Sequence, residues 1–391
     1  MKNSILKFTF WKVVAVIIIV AGLYSAFIRF TQGLGASTNL SDAFPWGLWI
    51  GFDMLCGVGL AAGGFAICAV THIFNVEKFK PLARPAILTA FLGYILAVCG
   101  LMFDLGRPWA IWHAIIMWNT HSVMFEVAWC VMLYSTVLFL EFFPVVLERF
   151  KLPKILKIIK RVSIPIMMLG ILLSTLHQSS LGSLYLIMPE KMHPLWYSPL
   201  LPVFFYLSAI STGFAMVIFE AFLSARAYNH GLKLNLLSAC SFISIIFIII
   251  NFTLKIVYLS MSGKLQYLLI LSPVTYLFYL EILIGTIVPA FFLSSRKFRE
   301  DKKYLYFSSV FIISGFLLNR INVSITSLAA MSKASYFPSI TEISVTMMLV
   351  VIGMWAFKLI IQNFPVFSEE LELEKPVSVI ESISKPLTLS E

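Results

Sequence analysis

The residues of this sequence that could do chemistry are ionisable side chains set beside or inside long apolar runs. Five of them fall between residues 101 and 134: Asp104, Arg107, His113, His121 and Glu126. A charged group at the centre of a membrane-spanning helix costs about 2.5 to 3.5 kcal/mol on insertion scales, so such groups are candidates for a functional site. We interpret the rest of the chain as the scaffold that holds this corner.

Glu126 is a candidate for proton chemistry. It is predicted to lie one turn inside a helix, with Cys130 and Tyr134 on the same face at i+4 and i+8. We expect this carboxyl to be buried, and burial disfavours its charged form. It could therefore give a proton to a bound redox cofactor or take one from it. The structural alternative is a carboxyl hydrogen-bonded to a neighbouring helix.

Other ionisable residues lie in further apolar runs. His177 shares a predicted face with Ser174 and could donate to a quinone carbonyl, or it could be a core histidine bonded to a serine. Glu220 and Glu281 are predicted at different depths, as the carboxylates of a proton path are. A contact between helices, or a residue snorkelling at a helix end, explains each of these two equally well. Glu141 is interpreted as marking an exit from the membrane.

Asp104 and Arg107 are three residues apart at the end of a predicted span. We expect a local ion pair that caps the helix. The functional alternative is that Arg107 orients a carboxylate or an anionic form of a quinone. The predicted surroundings of a quinone are Asp104, Arg107, Trp112, His113 and His121.

Long apolar helices must position these side chains. The sequence is 60% apolar and 12% charged, which lies far outside the soluble globular range. Its apolar runs are unbroken and do not alternate, which excludes barrel strands. A span needs about 20 apolar residues. The predicted fold class is therefore an all-α polytopic transmembrane bundle of about ten spans, at 13–30, 46–72, 85–103, 122–143, 162–184, 200–225, 234–259, 265–293, 304–320 and 339–360.

The second of these spans is rich in glycine. Small residues four apart let helices approach closely in lipid, so we predict a central, closely packed helix. Spans 2 to 5 and spans 6 to 9 enter the membrane in the same direction. This permits two four-helix bundles plus two extra helices. The glycines are Gly47, Gly51, Gly57, Gly59, Gly63 and Gly64.

The positions of lysine and arginine predict the orientation. If the N-terminus is cytoplasmic, 21 of the 29 basic residues fall on that side, 6 fall on the other, and 2 near span ends stay unassigned. This positive-inside bias predicts both termini in the cytoplasm and the 101–134 corner on the periplasmic side of a bacterial inner membrane. The predicted parts are a cytoplasmic N-terminus (1–12), a transmembrane domain (13–361) and a disordered cytoplasmic tail (362–391). The net charge of +10 comes from basic residues in the loops on the predicted cytoplasmic side, where they determine the orientation of the helices. Nucleic acid is therefore not a predicted partner.

The cysteine and histidine patterns bear on metal cofactors. The five cysteines are widely spaced and form no CxxC motif, so no cysteine-bound iron–sulfur cluster and no other metal site is predicted. Transmembrane haem sites use histidine pairs on facing helices. Only His113, His121 and His177 lie near one predicted membrane face, where a single pair is conceivable. We therefore expect no haem in this chain.

The predicted periplasmic loops, 31–45, 104–121, 179–199 and 321–338, are rich in tryptophan and tyrosine. These residues favour the headgroup level of a membrane, so the loops are expected to fold back onto the membrane surface. An aromatic belt is one explanation of this composition. A docking platform for a partner is the other.

Several strings resemble those of the NrfD/polysulfide-reductase membrane-subunit family, and within it the HybB-type "cytochrome b" subunits of nickel–iron hydrogenases. The resemblance runs from about Phe44 to Leu359. It is carried by PWGLWIGFDMLCGVGLAAGGF (45–65), DLGRPWAIWHAIIMWNTHSVMFEVAWCVMLY (104–134) and LHQSSLGSLYLIMPEKMHPLWYSPLLP (176–202). The shorter strings AMVIFE (215–220), NRINVSI (319–325) and YFPSITEI (336–343) also contribute.

The resemblance implies a haem-free, quinone-reactive subunit with ten helices. A ferredoxin-like iron–sulfur subunit would dock on its periplasmic face, and the large and small subunits of a nickel–iron hydrogenase would lie beyond. Electrons would pass between this partner and menaquinone or ubiquinone. The acidic and histidine positions of the family match Glu126, His177 and Glu220, which the resemblance assigns to quinone protonation or to a proton path. Other branches of the family serve molybdenum enzymes or multihaem cytochromes.

Two further functions stay open from the residues alone. Buried carboxylates also bind the coupling ion of secondary transporters, although the broken midplane helices of such proteins are not obvious here. The chain could also be a membrane anchor without chemistry of its own, which recruits a partner while another subunit contacts the quinone.

Overall fold

The computed structural model describes residues 10–228, 231–332 and 336–367. The predicted N-terminal segment 1–12 and the predicted tail 362–391 lie mostly outside the described residues. We number the long helices α1 (Phe10–Gln32), α2 (Trp49–Ile73), α3 (Lys80–Asp104), α4 (Val123–Arg149), α5 (Pro153–Ser183), α6 (Leu201–Tyr228), α7 (Leu234–Met261), α8 (Pro273–Ser294), α9 (Lys302–Met331) and α10 (Ile340–Asn363).

Helices account for nearly all of the described residues, which contain no strand longer than an isolated bridge. Within that part of the chain, nine helices, all of those numbered except α5, are long and apolar enough to cross a membrane. The predicted all-α polytopic bundle is confirmed.

The helix α5 differs from the others in composition. Its first half carries Lys154, Lys157, Lys160 and Arg161, and its second half carries polar residues around His177. With 31 residues and a rise of 1.5 Å per residue it is about 46 Å long, and it packs against both α4 and α6. It has the length and the neighbours of a tenth spanning helix.

The helices pack as two groups of four. The first bundle is α2 to α5 and the second bundle is α6 to α9, while α1 packs on α10 and α10 on α3. The interface between the bundles is made by α2 and α5 against α6. This arrangement agrees with the predicted two four-helix bundles plus two extra helices.

The glycine-rich helix α2 lies at the centre. In its most apolar window 83% of the residues are buried, against 22% in α1, α7 and α8. A Cβ atom on Gly63 would lie 2.9 Å from the backbone oxygen of Gly213, so the backbones of α2 and α6 touch at these two glycines. The prediction of a central, closely packed helix is confirmed.

Three predicted boundaries are wrong by eight residues or more. Helix α5 begins at Pro153, nine residues before the predicted start at 162. Helix α8 starts at Pro273, after the predicted start at 265, because Pro273 takes the first turn and the Ser272 side chain accepts from the Thr275 N–H. Helix α9 runs through a π-helical segment, Asn322–Thr326, to Met331, so the first part of the predicted loop 321–338 is helical. Consequently Arg320, the last residue of the predicted span 304–320, lies inside the second bundle and is 1% exposed.

The two ends of the helices differ in their connections. We call the end with the connections 105–122 and 184–200 the tryptophan face, since it carries Trp109, Trp112, Trp118 and Trp196. We call the other end the lysine face, since α4 ends there at Arg149, the connection of α4 to α5 carries Lys151, and α5 starts with Lys154 in its first turn.

Candidate functional site

Glu126 lies in the first turn of α4, near the tryptophan face. The helix is capped by Ser122, whose side chain accepts from the Phe125 N–H at 3.3 Å. From α5, the Ser180 hydroxyl donates to Glu126 Oε1 at 2.5 Å. A carboxylate in the first turn also interacts favourably with the helix dipole. Glu126 is exposed, so the expectation that it is buried is wrong. It lies in the first turn of α4, at the end of the bundle and outside its packed interior.

His177 lies three residues before Ser180 on the same face of α5, about 4.5 Å closer to the lysine face. It is 0% exposed. Neither of its ring nitrogens has a hydrogen-bond partner among the described residues, and the hydroxyl of the neighbouring Ser174 has none either. The structural alternative of a histidine bonded to a serine is therefore not what the structure contains.

Two tyrosines complete this polar cluster. The ring of Tyr94 from α3 lies 5.5 Å from the ring of His177 and 4.6 Å from that of Tyr134 from α4. Both hydroxyls are buried. The Ser174 hydroxyl lies close to both and the Gln178 amide close to that of Tyr94, but no contact in the described part of the chain has the full geometry of a hydrogen bond. Next to His177, the Gln178 amide donates to the backbone oxygen of Val58 at 3.0 Å, which ties α5 to α2.

The four unpartnered side chains, Tyr94, Tyr134, Ser174 and His177, form the most unusual feature of the first bundle. Buried polar groups in proteins almost always have a hydrogen-bond partner. An unsatisfied one costs about 1 to 3 kcal/mol. Four in one place need a reason, and a bound polar group or water molecules would supply the missing partners. The cluster therefore has the hydrogen-bonding capacity of a ligand or water site, and Ser180 on the same helix contacts Glu126.

Glu220 lies far from this cluster. Its Oε2 accepts from the Thr89 hydroxyl of α3 at 2.7 Å, while its Oε1 is buried without a partner among the residues that the structure describes. The carboxyl faces a cavity near the lysine face, which Pro85, Ser224 and Leu232 also line. Counting helical rise along α5 and α6, Glu220 is roughly 20 Å deeper than His177. The structure thus brings Glu126 and His177 together and leaves Glu220 at the other end.

Glu141 lies between these two ends of the bundle interface. It shares a face of α4 with Tyr134, seven residues before it. A Cβ atom on Gly170 of α5 would come within 3.0 Å of its Oε1. We interpreted Glu141 as an exit from the membrane, but it lies eight residues before the end of α4 and is packed against α5. Its spacing from Tyr134 is the signal that could have identified it.

The expected ion pair between Asp104 and Arg107 is not formed. Instead, Arg29 from α1 donates to the backbone oxygens of Phe103 and Leu105, both at 2.6 Å. These carbonyls belong to the end of α3, where a cation also interacts favourably with the helix dipole. Arg29 therefore takes the capping role, Arg107 is exposed, and Asp104 Oδ1 is buried without a partner in the described structure.

The other predicted quinone neighbours lie on the connection between α3 and α4. Trp112 is 51% exposed, His121 is exposed and His113 is half-buried, against the Trp112 ring. The connection is held down because the Trp129 indole of α4 donates to the backbone oxygen of Ala114 at 2.7 Å. This places the three residues above the same end of α4 as Glu126, and their contact with a quinone stays a prediction.

The second bundle contains a charged network around Glu281, which is 4% exposed. Its Oε1 accepts from Lys255 Nζ at 2.7 Å and from Asn319 Nδ2 at 2.8 Å. Its Oε2 accepts from the Trp196 indole at 2.8 Å and from Asn322 Nδ2 at 3.0 Å. Sequence reasoning identified the carboxylate and missed its partners, although the polar string at 319–322 inside an apolar helix was a signal.

Glu342, at the start of α10, has a structural role. Its Oε1 accepts from the Tyr336 hydroxyl at 2.5 Å, and its Oε2 accepts from the Ser339 N–H at 2.8 Å as part of a capping box. Burial, together with the hydrogen bond to Glu342, raises the pKa of Tyr336, so this phenol stays protonated and donates. The contact fixes the loop before α10.

Among the described residues, no group of three or more histidine, cysteine or acidic side chains could hold a metal ion. The five cysteines are separate and free. The expectation that the chain carries no haem stays a prediction.

Three curated proteins are similar to this chain over most of its length. One, from Nitratidesulfovibrio vulgaris, is 38% identical over 90% of this chain and 93% of its own. The "Probable Ni/Fe-hydrogenase 2 b-type cytochrome subunit" of Escherichia coli is 34% identical over 86% of this chain and 87% of its own. The "Menaquinone reductase, integral membrane subunit" of N. vulgaris is 27% identical over 95% of both chains.

A family profile gives the broader assignment. The profile described as "Polysulphide reductase, NrfD" matches residues 36–332. That range contains α2 to α9 and therefore both bundles, including the Glu126–His177 region and the Glu281 network. This chain belongs to the NrfD family.

Proposed function

We propose that this chain is the quinone-reactive membrane subunit of a respiratory hydrogenase complex. It passes electrons between an iron–sulfur partner subunit, docked on the tryptophan face, and menaquinone or ubiquinone in the membrane. The nickel–iron catalytic subunits lie beyond that partner. The tryptophan face is periplasmic, both termini are cytoplasmic, and the membrane is the bacterial inner membrane.

The observation that carries the quinone assignment is the unpartnered polar cluster beside Glu126. A quinone is an apolar molecule with two carbonyl acceptors, and a buried imidazole N–H or phenol O–H is a suitable donor for such an oxygen. His177 has a free ring nitrogen on each side, and Glu126 lies about one helical turn nearer the tryptophan face. When bound, the quinone supplies the two-electron chemistry. The chain supplies hydrogen-bond donors, orientation and a route for protons.

The similarity to the E. coli hydrogenase subunit and to the menaquinone reductase subunit supports a role in a quinone-linked complex. The cysteines also support a borrowed electron carrier. Cys56, Cys68, Cys99, Cys130 and Cys240 are free and dispersed over the bundle, so an iron–sulfur cluster needs ligands from another subunit.

Glu126, His177 and Glu220 have different roles in this proposal. His177 contacts the quinone, and Glu126 exchanges protons with it through Ser180 at the exposed end. Glu220 and its cavity at the lysine face form the start of a path from the cytoplasm, with Glu141 as an intermediate group. Asp104, Arg107, Trp112, His113 and His121 surround the quinone entrance.

The test uses the intact complex in membrane vesicles and the variant Glu126→Gln. We expect hydrogen-dependent quinone reduction to fall at least tenfold, because the amide cannot exchange a proton. Hydrogen oxidation with a soluble artificial dye should keep its rate, since the dye takes electrons before they reach this chain. Glu190→Gln is the matched control, as Glu190 is an exposed carboxylate on the same face, and it should leave both rates unchanged.

Loss of both activities in Glu126→Gln would mean that Glu126 holds the complex together, and the proposed proton role would fail. Metal analysis of the co-purified complex distinguishes a hydrogenase partner from the other possible partners. Iron with nickel supports the hydrogenase branch, whereas molybdenum or several haems would assign the chain to a related redox complex. A chain that purifies alone and takes up a solute in response to a proton gradient would be a transporter.

A further inference from the structure

Helix α5 is longer than the hydrocarbon core of a membrane is thick. It has 31 residues, which corresponds to about 46 Å, whereas the hydrocarbon core is about 30 Å thick. If its end at Ser183 marks one edge of the hydrocarbon, the other edge lies about 20 residues earlier, near Ser163. The helical residues from Pro153 to Ser163 therefore lie at the level of the lipid headgroups on the lysine face.

Basic residues are concentrated at this level. Residues 145–164 contain a single carboxylate, that of Glu148. Its Oε1 lies 3.0 Å from Arg84 Nη2 and 3.6 Å from Lys160 Nζ, so two cations already share it. The basic residues of this segment are Arg149, Lys151, Lys154, Lys157, Lys160 and Arg161. The surface therefore carries a large excess of positive charge.

Three of these cations have no partner in the described part of the chain. Lys154, Lys157 and Arg161 are exposed, and no ion pair or side-chain hydrogen bond to them is present there. They are spaced three and four residues apart, so they lie on one side of the helix. The buried side of α5 is the opposite one, marked by Gly170 and His177. The three charges therefore face away from the bundle.

An apolar stripe continues the same side of α5 towards the middle of the membrane. Pro165, Met168 and Leu172 follow Arg161 at intervals of three or four residues. All three are exposed, Met168 by 48% and Leu172 by 56%. The rise from Arg161 to Leu172 is about 16 Å, which is about half of the 30 Å hydrocarbon core and thus one leaflet. Cations above and apolar side chains below match the headgroup and the chains of one phospholipid.

We propose that this side of α5 binds an anionic phospholipid from the membrane leaflet at the lysine face. Lys157 and Arg161 hold the phosphate, Lys154 adds attraction from above, and the acyl chains lie along Met168 and Leu172. A guanidinium can donate to two phosphate oxygens at once, while each ammonium acts as a point charge. Basic clusters of this size beside a spanning helix are typical of surfaces that attract anionic lipids.

A second basic connection, between α8 and α9 at the same face, provides a comparison. Basic residues in both connections favour the same orientation of the helices. In the second one, Arg296 binds Glu300 at 2.7 Å and Arg299 donates to the Leu293 backbone oxygen at 2.6 Å, while Lys302 and Lys303 are half-buried. Orientation therefore explains both connections, whereas the row of exposed, unpaired cations above an apolar stripe is a feature of α5.

The first experiment measures which lipids stay bound. The full-length chain, with the subunits that co-purify, is reconstituted in equal parts of phosphatidylglycerol and phosphatidylcholine and transferred to mild detergent. Native mass spectrometry then counts the retained lipids. The variant carries Lys154→Gln, Lys157→Gln and Arg161→Gln. We expect its ratio of retained phosphatidylglycerol to phosphatidylcholine to fall at least fivefold, because one cation near an anionic surface strengthens the attraction by about fivefold.

The matched control removes the same charge from the other basic connection, with Lys297→Gln, Lys302→Gln and Lys303→Gln. It should keep the lipid ratio within twofold of the wild type. Lys154→Arg with Lys157→Arg preserves the charge and should also keep the ratio. Equal losses in the two triple variants would mean that overall charge, and no particular surface, attracts the lipid, and would overturn the proposal.

The second experiment locates the lipid on the wild-type protein and so does not depend on whether a variant folds. Phosphatidylglycerol with a photoreactive group at the end of one acyl chain is added to the membranes, and cross-linked peptides are mapped. The chain end reaches the depth of Leu172, so we expect cross-links at Met168 and Leu172 to exceed those from the matching phosphatidylcholine probe at least threefold. Equal cross-linking by the two probes, or an even spread over the exposed helices, would overturn the proposal.

Two other occupants of this surface are distinguished by the lipid counts. If inorganic phosphate displaced the lipid more than chloride of equal ionic strength, the site would bind free anions. If phosphatidylglycerol were retained only after removal of residues 368–391, the acidic stretch 369–374 would be the occupant. Either result would refute the lipid site. Neither experiment involves quinone or electron transfer, so the outcome leaves the proposed function untouched.

Discussion

Two buried polar clusters, one around His177 in the first bundle and one around Glu281 in the second, differ in how far their hydrogen bonds are satisfied. In the first bundle, His177, Tyr94, Tyr134 and Ser174 are buried and lack hydrogen-bond partners in the described structure. In the second bundle, the Glu281 carboxylate accepts four hydrogen bonds, from Lys255, Asn319, Trp196 and Asn322. Similar helix architecture therefore supports one polar site that is incomplete and one that is closed.

This difference follows from which partners each bundle supplies. The interface of α3, α4 and α5 offers aromatic rings, with ring centres 4.6 to 5.5 Å apart, and short hydroxyl side chains. The interface of α7, α8 and α9 offers long lysine, arginine and asparagine side chains that reach the carboxylate. A ligand would supply the hydrogen bonds that the His177 cluster lacks. The Glu281 cluster already has its hydrogen bonds, so its contribution is to the stability of the fold. We therefore expect a ligand at the His177 cluster and a structural role for the Glu281 cluster.

The largest expected effect is on stability, from Glu281→Gln. The amide leaves Arg320 and Lys255 without a carboxylate, and breaking a buried ion pair from one side typically costs 3 to 5 kcal/mol. We expect a large fall in the thermal unfolding temperature of the detergent-solubilised protein and little folded protein in membranes. The matched control is Glu300→Gln, since the Arg296–Glu300 pair is at the surface and such pairs contribute little. Equal unfolding temperatures of the two variants would mean that the buried Glu281 cluster does not stabilise the second bundle.

The next effect is on turnover, from His177→Leu. Replacing an unpartnered buried polar group by an apolar one of similar size is nearly neutral or stabilising, so we expect the unfolding temperature to stay the same or rise. Quinone reduction should fall by at least tenfold, while dye reduction by the intact complex stays unchanged. A clear drop in the unfolding temperature would show that His177 has structural partners and would weaken the ligand assignment.

Much of this fold was predictable because lipid imposes simple rules on a sequence. Apolar runs of about 20 residues set the helix count, and the glycines of α2 identified the central helix, as the contact of Gly63 with Gly213 confirms. The failures occurred where a polar residue faces another helix. Arg320 follows Asn319 near the end of an apolar run and resembles the start of a loop, but α9 continues to Met331.

The sequence allowed us to predict which residues belong to the candidate site, but not how they are arranged. Glu126 and His177 were identified from their residue types within apolar runs, and the structure places His177 about one turn along α5 from Ser180, the residue that binds Glu126. Their pairing through Ser180 was not predictable, because it depends on the register of α5 against α4. The capping of α3 by Arg29 was missed for the same reason: the two residues that it joins are 74 positions apart in the sequence.

The smallest expected effect comes from Ser180→Ala, which tests how Glu126 is positioned. Ser180 donates to Glu126 at 2.5 Å, and hydrogen bonds to charged groups contribute about 1.5 to 3 kcal/mol. Because Glu126 is exposed and water can replace part of this bond, we expect kcat for quinone reduction to fall by only about three- to tenfold, with the KM for quinone within twofold. Ser180→Thr keeps the hydroxyl and should restore the rate. A variant that instead raises KM with kcat unchanged would place Ser180 against the quinone itself, which would move the binding site of the first bundle towards its exposed end and make Glu126 a ligand contact.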